Sequence, residues 1–142
     1  MSAVPKVVFD TNVLVSATLS PRGASLELLY LAAEGKITAY TSNAIIEEFK
    51  EIIRRDFEVP FKKAEEMAGV YLQFLKLVEP NRTINAIIAD EDDNRILECG
   101  AYTKADYIAS WDPHLTDLKE FEGITILNPG KLLSILKEVY KL

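Results

Sequence analysis

Three carboxylates occupy positions in this sequence where a charged side chain is costly unless a partner compensates it. Asp10 directly follows the apolar run Val7–Phe9, and Asp112 follows the mainly apolar run 107–111. Asp93 lies in line with the apolar stripe of a predicted helix. A carboxylate beside a buried strand, or on the inner face of a helix, loses hydration that something else must replace. A bound divalent cation would compensate all three, so the pattern predicts metal-assisted chemistry.

Helical phase selects Asp93 among its acidic neighbours. At about 100° per residue, its side chain aligns with the apolar positions three, four, seven and eight residues later. Those positions are Ile96, Leu97, Gly100 and Ala101. Glu91, Asp92 and Glu98 are predicted to project away from this stripe. A capping role for Asp93, as the third helical residue after an Asp90 N-cap, is the alternative, but it does not explain the inward direction.

The same phase separates two glutamates in the predicted helix that follows Ser42. The apolar stripe of that helix consists of Ile45, Ile46, Phe49, Ile52 and Ile53. Glu48 borders the stripe, three residues after Ile45 and four before Ile52, so it can reach a site at the edge of the core. Glu47 lies on the far side as a solvated charge. Taken alone, Glu48 is equally consistent with an ordinary boundary glutamate.

Local structural roles compete with chemistry at the other polar positions. Asp10 could form an Asx-turn, and Asp112 before Pro113 is a typical helix-start signature. His114 could contact a substrate or leaving group, or simply pack at the surface. Trp111 could pack in a loop or stack on a nucleobase. These alternatives stay open on the sequence alone.

Strands and helices alternate along the chain in a way that would bring the carboxylates together. Strands are predicted at 7–9, 37–41, 77–78, 107–110 and 124–127, whereas 81–89 is harder to assign. Helices are predicted through Leu14 to Ala33 with an interruption at 21–23, after Ser42, from Pro60, from Asp90 or Glu91, and after Asn128. The last helix is expected to bury Leu132, Leu133, Leu136, Val139 and Tyr140.

This alternation predicts one α/β domain over residues 1–142, a three-layer α/β/α sandwich. Its central parallel sheet would have four to five strands, because uniformly apolar strands are covered on both faces. Functional sites of such sheets lie beyond the carboxyl ends of the strands. Asp10 and Asp112 both follow strands, so they are expected to meet at that edge.

Composition and charge exclude several classes of protein. Hydrophobic residues make up 49% and charged residues 27%, which is typical of a globular domain. A net charge of −6 argues against holding nucleic acid by bulk electrostatics alone, although metal-binding carboxylates account for part of it. Basic residues concentrate in one span, where they could contact phosphate or form a solvated helix face with ion pairs. They are Lys50, Arg54, Arg55, Lys62 and Lys63.

The sequence also predicts a cytoplasmic location. Its apolar stretches are too short and too charged to span a membrane, and the start of the chain does not resemble a signal peptide. The single cysteine, Cys99, cannot form an internal disulfide and falls in an apolar-periodic helix, where packing explains it better than nucleophilic chemistry.

Other catalytic chemistries are poorly supported by the sequence. It contains neither of two glycine-rich phosphate-binding motifs, G-x-x-x-x-G-K-S/T and G-x-G-x-x-G, and no cysteine–histidine spacing typical of a zinc site. A Ser–His–acid triad would have to use His114, the one histidine. Mg²⁺ or Mn²⁺ suits a site made of carboxylate oxygens.

With these residues in place, the chain resembles the PIN-domain family of metal-dependent ribonucleases, in particular the VapC-type toxins. The matching segments are residues 7–14, 42–49, 90–98 and 105–115, and their order and spacing span nearly the whole chain. No single segment is decisive, but the ordered set is specific. One departure is Glu91, which stands where a proline is frequent in this subgroup.

The resemblance implies that Asp10, Glu48, Asp93 and Asp112 form an acidic site for one or two Mg²⁺ or Mn²⁺ ions. It further implies polar supports at Asn12 and Ser110 and an accessory acid at Asp106.

The resemblance also implies an activity, which is hydrolysis of RNA phosphodiester bonds by in-line attack of a metal-activated water. Small members of the family act as toxins of toxin–antitoxin pairs, often as homodimers, so RNA, an antitoxin protein and a second copy are the expected partners. No membrane partner is expected. A catalytically weak PIN-fold module that binds nucleic acid or serves as an adaptor is the alternative. A haloacid dehalogenase-type phosphohydrolase would need an aspartate where Asn12 stands.

Overall fold

The computed structural model describes residues 3–20, 22–86 and 91–142, which form a six-stranded sheet flanked by helices. The strands are β1 (Lys6–Phe9), β2 (Thr38–Ser42), β3 (Lys76–Val78), β4 (Tyr107–Ala109), β5 (Glu120–Phe121) and β6 (Ile124–Leu127). The helices are α1 (Thr11–Leu19), α2 (Ala24–Ala33), α3 (Asn43–Phe57), α4 (Phe61–Tyr71), α5 (Glu91–Thr103), α6 (Pro113–Thr116) and α7 (Pro129–Glu138). Within the described ranges, none of these helices combines the length and hydropathy that a membrane span requires.

The sheet is parallel except at one edge, and its strand order is β3-β2-β1-β4-β6-β5. β1 is central and pairs in parallel with β2 and β4. All three apolar residues of β1 are buried, as expected for a strand that helices cover on both faces. The chain moves outward from β1 through β2 to β3 and then returns to β4 on the other side of β1. The α/β prediction is therefore confirmed, and the order in which strands are added to the sheet reverses between the parallel neighbours β1 and β4.

The sixth strand, β5, is absent from the sequence-based expectation. It has two residues and pairs antiparallel with β6 through a hairpin. The two connecting residues, Glu122 and Gly123, both have positive φ (49° and 83°), as a type I′ turn requires. So short a strand carries no alternation of polar and apolar residues, which is why periodicity does not reveal it.

Successive residues of β4 show that helices cover both faces of the sheet. Ile108 faces α5, where a Cβ added to Gly100 would lie 2.9 Å from the Ile108 Cδ1 atom. Its neighbour Tyr107 faces the opposite way, and its hydroxyl lies 3.3 Å from that of Tyr140, just after α7. The three-layer arrangement follows, and Gly100 permits α5 to lie close against β4.

Helix caps confirm several predicted boundaries. The Ser42 hydroxyl accepts a hydrogen bond from Ile45 N at the start of α3, and Asn128 caps α7 in the same way through Lys131 N. The predicted interruption after α1 includes Pro21, and the candidate N-cap Asp90 precedes α5; both lie outside the described residues, as do positions 87–89.

The expectation that the last helix buries Val139 is wrong. α7 ends at Glu138, and the Val139 side chain is 68% exposed. Val139 still has helical backbone angles and donates its N–H to the carbonyl of Ile135, so its exposure comes from its place in the last turn of the chain's final helix and not from a loss of helical phase. The three leucines of α7 are buried as predicted.

Candidate metal centre and active site

Asp10 is fixed at the carboxyl end of the central strand. Its side chain is 4% exposed, and its backbone N–H donates to the carbonyl of Ala109 at 2.9 Å, at the end of β4. Oδ2 accepts hydrogen bonds from Ser110 Oγ at 2.6 Å and from Asn12 Nδ2 at 3.2 Å. Both residues predicted as polar supports therefore contact the Asp10 carboxylate directly.

Asp112 is tied to the same end of the sheet through Ser110. The Ser110 hydroxyl, which donates to Asp10, accepts a hydrogen bond from the Asp112 backbone N–H at 2.9 Å. Asn12 adds a second link, because its Oδ1 accepts from the N–H of Trp111 at 3.1 Å. The Asp112 side chain also caps α6 by accepting from His114 N at 2.9 Å. The capping interpretation is thus correct, and it does not remove Asp112 from the site.

Asp93 projects inward from the first turn of α5 and is 4% exposed, as its helical phase predicts. His114 Nδ1 lies 4.0 Å from Asp93 Oδ2 and 3.6 Å from Asp112 Oδ1. One ligating atom from each of these three side chains falls within 4.8 Å of the others. The histidine is therefore positioned beside the acidic site, with its ring more than half exposed.

Glu48 approaches the same region from α3. It is partly buried, whereas Glu47 is exposed and pairs with Lys50 at 2.9 Å. Asp10, Glu48, Asp93 and Asp112 all line one cavity of about 270 Å³. The cavity lies beyond the carboxyl ends of β1 and β4, where the strand order changes direction, which is the position at which open α/β sheets place their sites.

A fifth carboxylate, Asp92, also lines this cavity, although its helical phase predicts that it projects away from the apolar stripe. Its side chain is exposed, so it does leave the apolar stripe, but it turns toward Glu48. Asp92 precedes Ile96 by four residues, which is the spacing by which Glu48 precedes Ile52. The criterion that selected Glu48 at the edge of a stripe would have selected Asp92 as well.

Crowding and burial raise the pKa values of two of these carboxyl groups. Burial raises the pKa of Asp10 to about 6 against the opposing hydrogen bond from Ser110, and the charge of Asp112 contributes. Burial, together with the neighbouring Asp92 and Asp10, raises the pKa of Glu48 to about 8. The protein thus holds carboxylates where each resists the ionisation of the next.

The donor set fits a hard divalent cation. The five side chains offer only carboxylate oxygens, which Mg²⁺ and Mn²⁺ prefer, with a single imidazole nearby. A cation between the carboxylates would offset both the burial and the mutual repulsion that raise the pKa values of Asp10 and Glu48.

The placement of Asp106 needs correction. Asp106 accepts a hydrogen bond from Lys6 N at 2.8 Å at the amino end of β4, about 13 Å from Ser110 at the strand rise. The site lies at the opposite end, so Asp106 cannot be its accessory acid. Glu98 leaves the apolar stripe as predicted, but it is not solvated: its side chain is 11% exposed, binds Arg95 at 2.8 Å and accepts from Ile84 N.

Cys99 is fully buried, as its apolar surroundings predict, and burial raises its thiol pKa to about 12. A thiol of this kind holds its proton and is a poor nucleophile.

Three of the five basic side chains between residues 50 and 63 form ion pairs, as the alternative of a solvated helix face predicts, and one of these is Lys63 with Glu66. Lys50 pairs with Glu47 and Glu65, and Arg55 pairs with Glu51 and Asp56. Of these side chains, Arg55 lines the acidic cavity.

Comparison with known proteins supports the fold and identifies the family of the chain. The chain is 32% identical over 125 residues to an uncharacterized protein of Methanocaldococcus jannaschii, MJ1680, covering 81% of this chain and 76% of that one. Its fold resembles VapBC2 from Rickettsia felis, crystallised with a DNA fragment from its promoter (TM-score 0.63, 14% identity). It also resembles FitAcB from Neisseria gonorrhoeae (TM-score 0.52, 16% identity).

Both of these likenesses cover 87% of this chain and 98% of the other. At such identities they establish the fold alone. The profile of the PIN domain matches residues 6–114, a range that includes every carboxylate of the cavity. This chain therefore belongs to the PIN-domain family.

Proposed function

We propose that the protein is a Mg²⁺- or Mn²⁺-dependent endoribonuclease whose metal is held by Asp10, Glu48, Asp93 and Asp112. The observation that carries the proposal is the convergence of these four carboxylates on one cavity at the β1–β4 edge. Burial and neighbouring carboxylates raise the pKa values of Asp10 and Glu48, and perturbed carboxyl groups that converge in a cavity are typical of functional sites. Membership of the PIN-domain family supports the same conclusion.

The surrounding residues would act mainly by orienting the ligands. Ser110 and Asn12 fix the Asp10 carboxylate, since ligands of a metal are held in place by hydrogen bonds from neighbouring groups. The cap of α6 fixes Asp112. A bound cation would supply activation of water and neutralisation of charge that develops on the phosphate. His114, half exposed beside Asp93 and Asp112, can donate a hydrogen bond to a phosphate oxygen or to the leaving group.

The biological role that fits this assignment is that of the toxin in a toxin–antitoxin pair. The resemblance to VapC-type toxins and the fold shared with VapBC2 support it. An antitoxin chain would restrain the nuclease, and the protein would act as a cytoplasmic homodimer of single 1–142 domains. Copurification with the product of a neighbouring gene, and the mass of the complex in solution, test these partners.

RNA cleavage tests the nuclease directly. Single-stranded RNA incubated with the protein should be cut with Mn²⁺ or Mg²⁺ and stay intact with EDTA. Asp10→Asn and Asp93→Asn should lower the rate at least about 100-fold, because each removes charge from the metal site. Asp106→Asn is the matched control, since it changes the same residue type at the other end of the sheet. Full activity in both site variants would overturn the assignment, and RNA binding without cleavage by the wild type would favour the adaptor alternative.

A further inference from the structure

The acidic cavity adjoins a second, larger cavity, and Arg55 lines both. The second cavity has a volume of about 560 Å³ and lies where α3 ends and α4 begins. Its other lining residues are Glu51, Arg54, Glu58, Val59 and Phe61. The size falls within the range of about 300–1,000 Å³ that is typical of ligand pockets. The space beside the acidic site is therefore large enough for a ligand group.

A polyanionic substrate can approach the acidic cavity more easily if a positive side chain lies there, and Arg55 is such a side chain. Five carboxylates line the cavity, so one or two divalent cations leave the site negative toward a polyanionic substrate. Among the described residues that line this cavity, Arg55 carries the positive charge. An arginine binds phosphate through two parallel hydrogen bonds, which a lysine cannot do.

The contacts of Arg55 leave it able to change partners. Its guanidinium binds Glu51 at 3.1 Å and Asp56 at 2.9 Å, and all three side chains are about half exposed or more. Ion pairs of this exposed kind contribute little to stability, so a phosphate group can replace a carboxylate at low cost.

The Arg54–Phe61 part of the second cavity offers a surface for a base. The Arg54 guanidinium lies over the Phe61 ring, with its Cζ 4.9 Å from the ring centroid. Phe61 is nevertheless 60% exposed. Exposed aromatic rings and guanidinium planes are the groups on which bases of single-stranded nucleic acid stack.

We propose that the second cavity binds the nucleotide adjacent to the scissile phosphate of a single-stranded RNA. Arg55 binds the phosphate of that nucleotide, and the Arg54–Phe61 pair receives its base. This inference rests on the proposed nuclease function. It identifies Arg55 as a positioning residue that acts by holding the strand across the acidic site.

Salt-dependent binding separates this role from a structural one. The probe is a fluorescent, mixed-sequence single-stranded RNA of about 12 nucleotides, within the site sizes of such proteins. Anisotropy is measured in Ca²⁺ over a range of KCl, with a gel to show that the probe stays intact. Arg55→Ala should weaken binding about tenfold and lower the slope of log K against log [salt] by about 0.7, the loss of one phosphate contact.

Further variants assign the parts of the cavity. Phe61→Ala should weaken binding about tenfold and leave the salt slope unchanged, since stacking releases no counterions. Arg55→Lys should keep the slope and recover part of the affinity. Arg82→Ala is the matched control, because Arg82 makes two hydrogen bonds to Glu122 away from both cavities. It should bind as the wild type does.

Unchanged affinity and slope in Arg55→Ala, or an equal loss in Arg82→Ala, would overturn the inference. The outcome is separable from that of the proposed function. Cleavage by the wild type with no effect of Arg55 on binding removes the inference alone. Binding that depends on Arg55 without any cleavage removes the nuclease proposal, and what is left of the inference is an RNA-binding role of Arg55.

Discussion

Replacing Asp10 by asparagine should stabilise the metal-free protein at neutral pH, although it alters a residue at the centre of the site. The pKa of Asp10 is raised from 3.8 to about 6, chiefly by burial. The folded protein therefore binds a proton more tightly than the unfolded chain does. Between these two pKa values stability falls as the pH rises, and above about pH 7 the loss is complete.

The magnitude follows from the size of the shift. About two pKa units correspond to about 3 kcal/mol of unfolding free energy that the wild type loses between about pH 4 and pH 7. An asparagine at position 10 does not ionise and escapes this loss. Its Oδ1 can still accept from Ser110, but weakening of that 2.6 Å hydrogen bond costs about 1 kcal/mol. The net gain at neutral pH is about 2 kcal/mol.

Urea unfolding of the two proteins in EDTA, at pH values from about 4 to 8, measures this directly. The difference between their unfolding free energies should grow in favour of Asp10→Asn as the pH rises. Titrating groups far from position 10 contribute equally to both proteins and drop out of this difference. Mn²⁺ at 100 times its dissociation constant should then stabilise the wild type by about 2.7 kcal/mol and the variant far less. A difference that does not vary with pH, or equal stabilisation of both proteins by Mn²⁺, would refute the reasoning.

Three further changes test separate parts of the site. Glu48→Gln should lower RNA cleavage at least about 100-fold, whereas Glu47→Gln on the neighbouring, solvent-facing position should leave the rate within about twofold; equal effects would contradict the phase argument. Ser110→Ala should reduce Mn²⁺ affinity by about 10–100-fold in calorimetry, because Asp10 loses its orienting hydrogen bond; unchanged affinity would show that the hydroxyl is dispensable. Gly100→Ala should cost about 1 kcal/mol in thermal or urea unfolding, because the added methyl would lie 2.9 Å from the Ile108 Cδ1 atom and overpack the core, whereas the higher helix propensity of alanine offsets part of that cost; an unchanged or raised midpoint would mean that the isoleucine side chains make room for the methyl group.

The strand ends and the helical phase of single residues could be predicted from the sequence. Asp10 follows a fully buried strand, and its position at the sheet edge follows from the geometry of parallel sheets alone. Asp93 and Glu48 could be selected over neighbours of the same charge because the apolar stripe of each helix determines which of its faces points into the core. The structure gives these residues the burial that the phase predicts.

Helical phase does not report what covers a side chain, and this limit explains two of the differences. Glu98 leaves the apolar stripe of α5, yet the segment around Ile84 folds over it and donates a backbone hydrogen bond. Asp92 also leaves the stripe, but α3 lies beside the first turn of α5 and turns the exposed position into the wall of a cavity. Both outcomes depend on contacts between elements distant in sequence.

A residue that is close in sequence to a site residue can still lie at the opposite end of a strand. Asp106 lies close in sequence to Ser110, but one precedes β4 and the other follows it. The three-residue strand between them separates the two side chains by most of the height of the sheet. Arg55 shows the converse, since it belongs to an ordinary basic helix face in sequence and reaches the acidic cavity only through the packing of α3.

Titration of the protein with Mn²⁺ tests the central claim, that the converging carboxylates form one divalent-cation site. Calorimetry at about pH 7 in two buffers of different ionisation enthalpy gives both the affinity and the protons released. The wild type should bind Mn²⁺ and release about one proton, because Glu48 with a pKa of about 8 is mainly protonated before the metal binds. Asp93→Asn should lose at least about tenfold in affinity and Asp106→Asn should not. No binding by the wild type at millimolar Mn²⁺, or equal affinity in both variants, would contradict it.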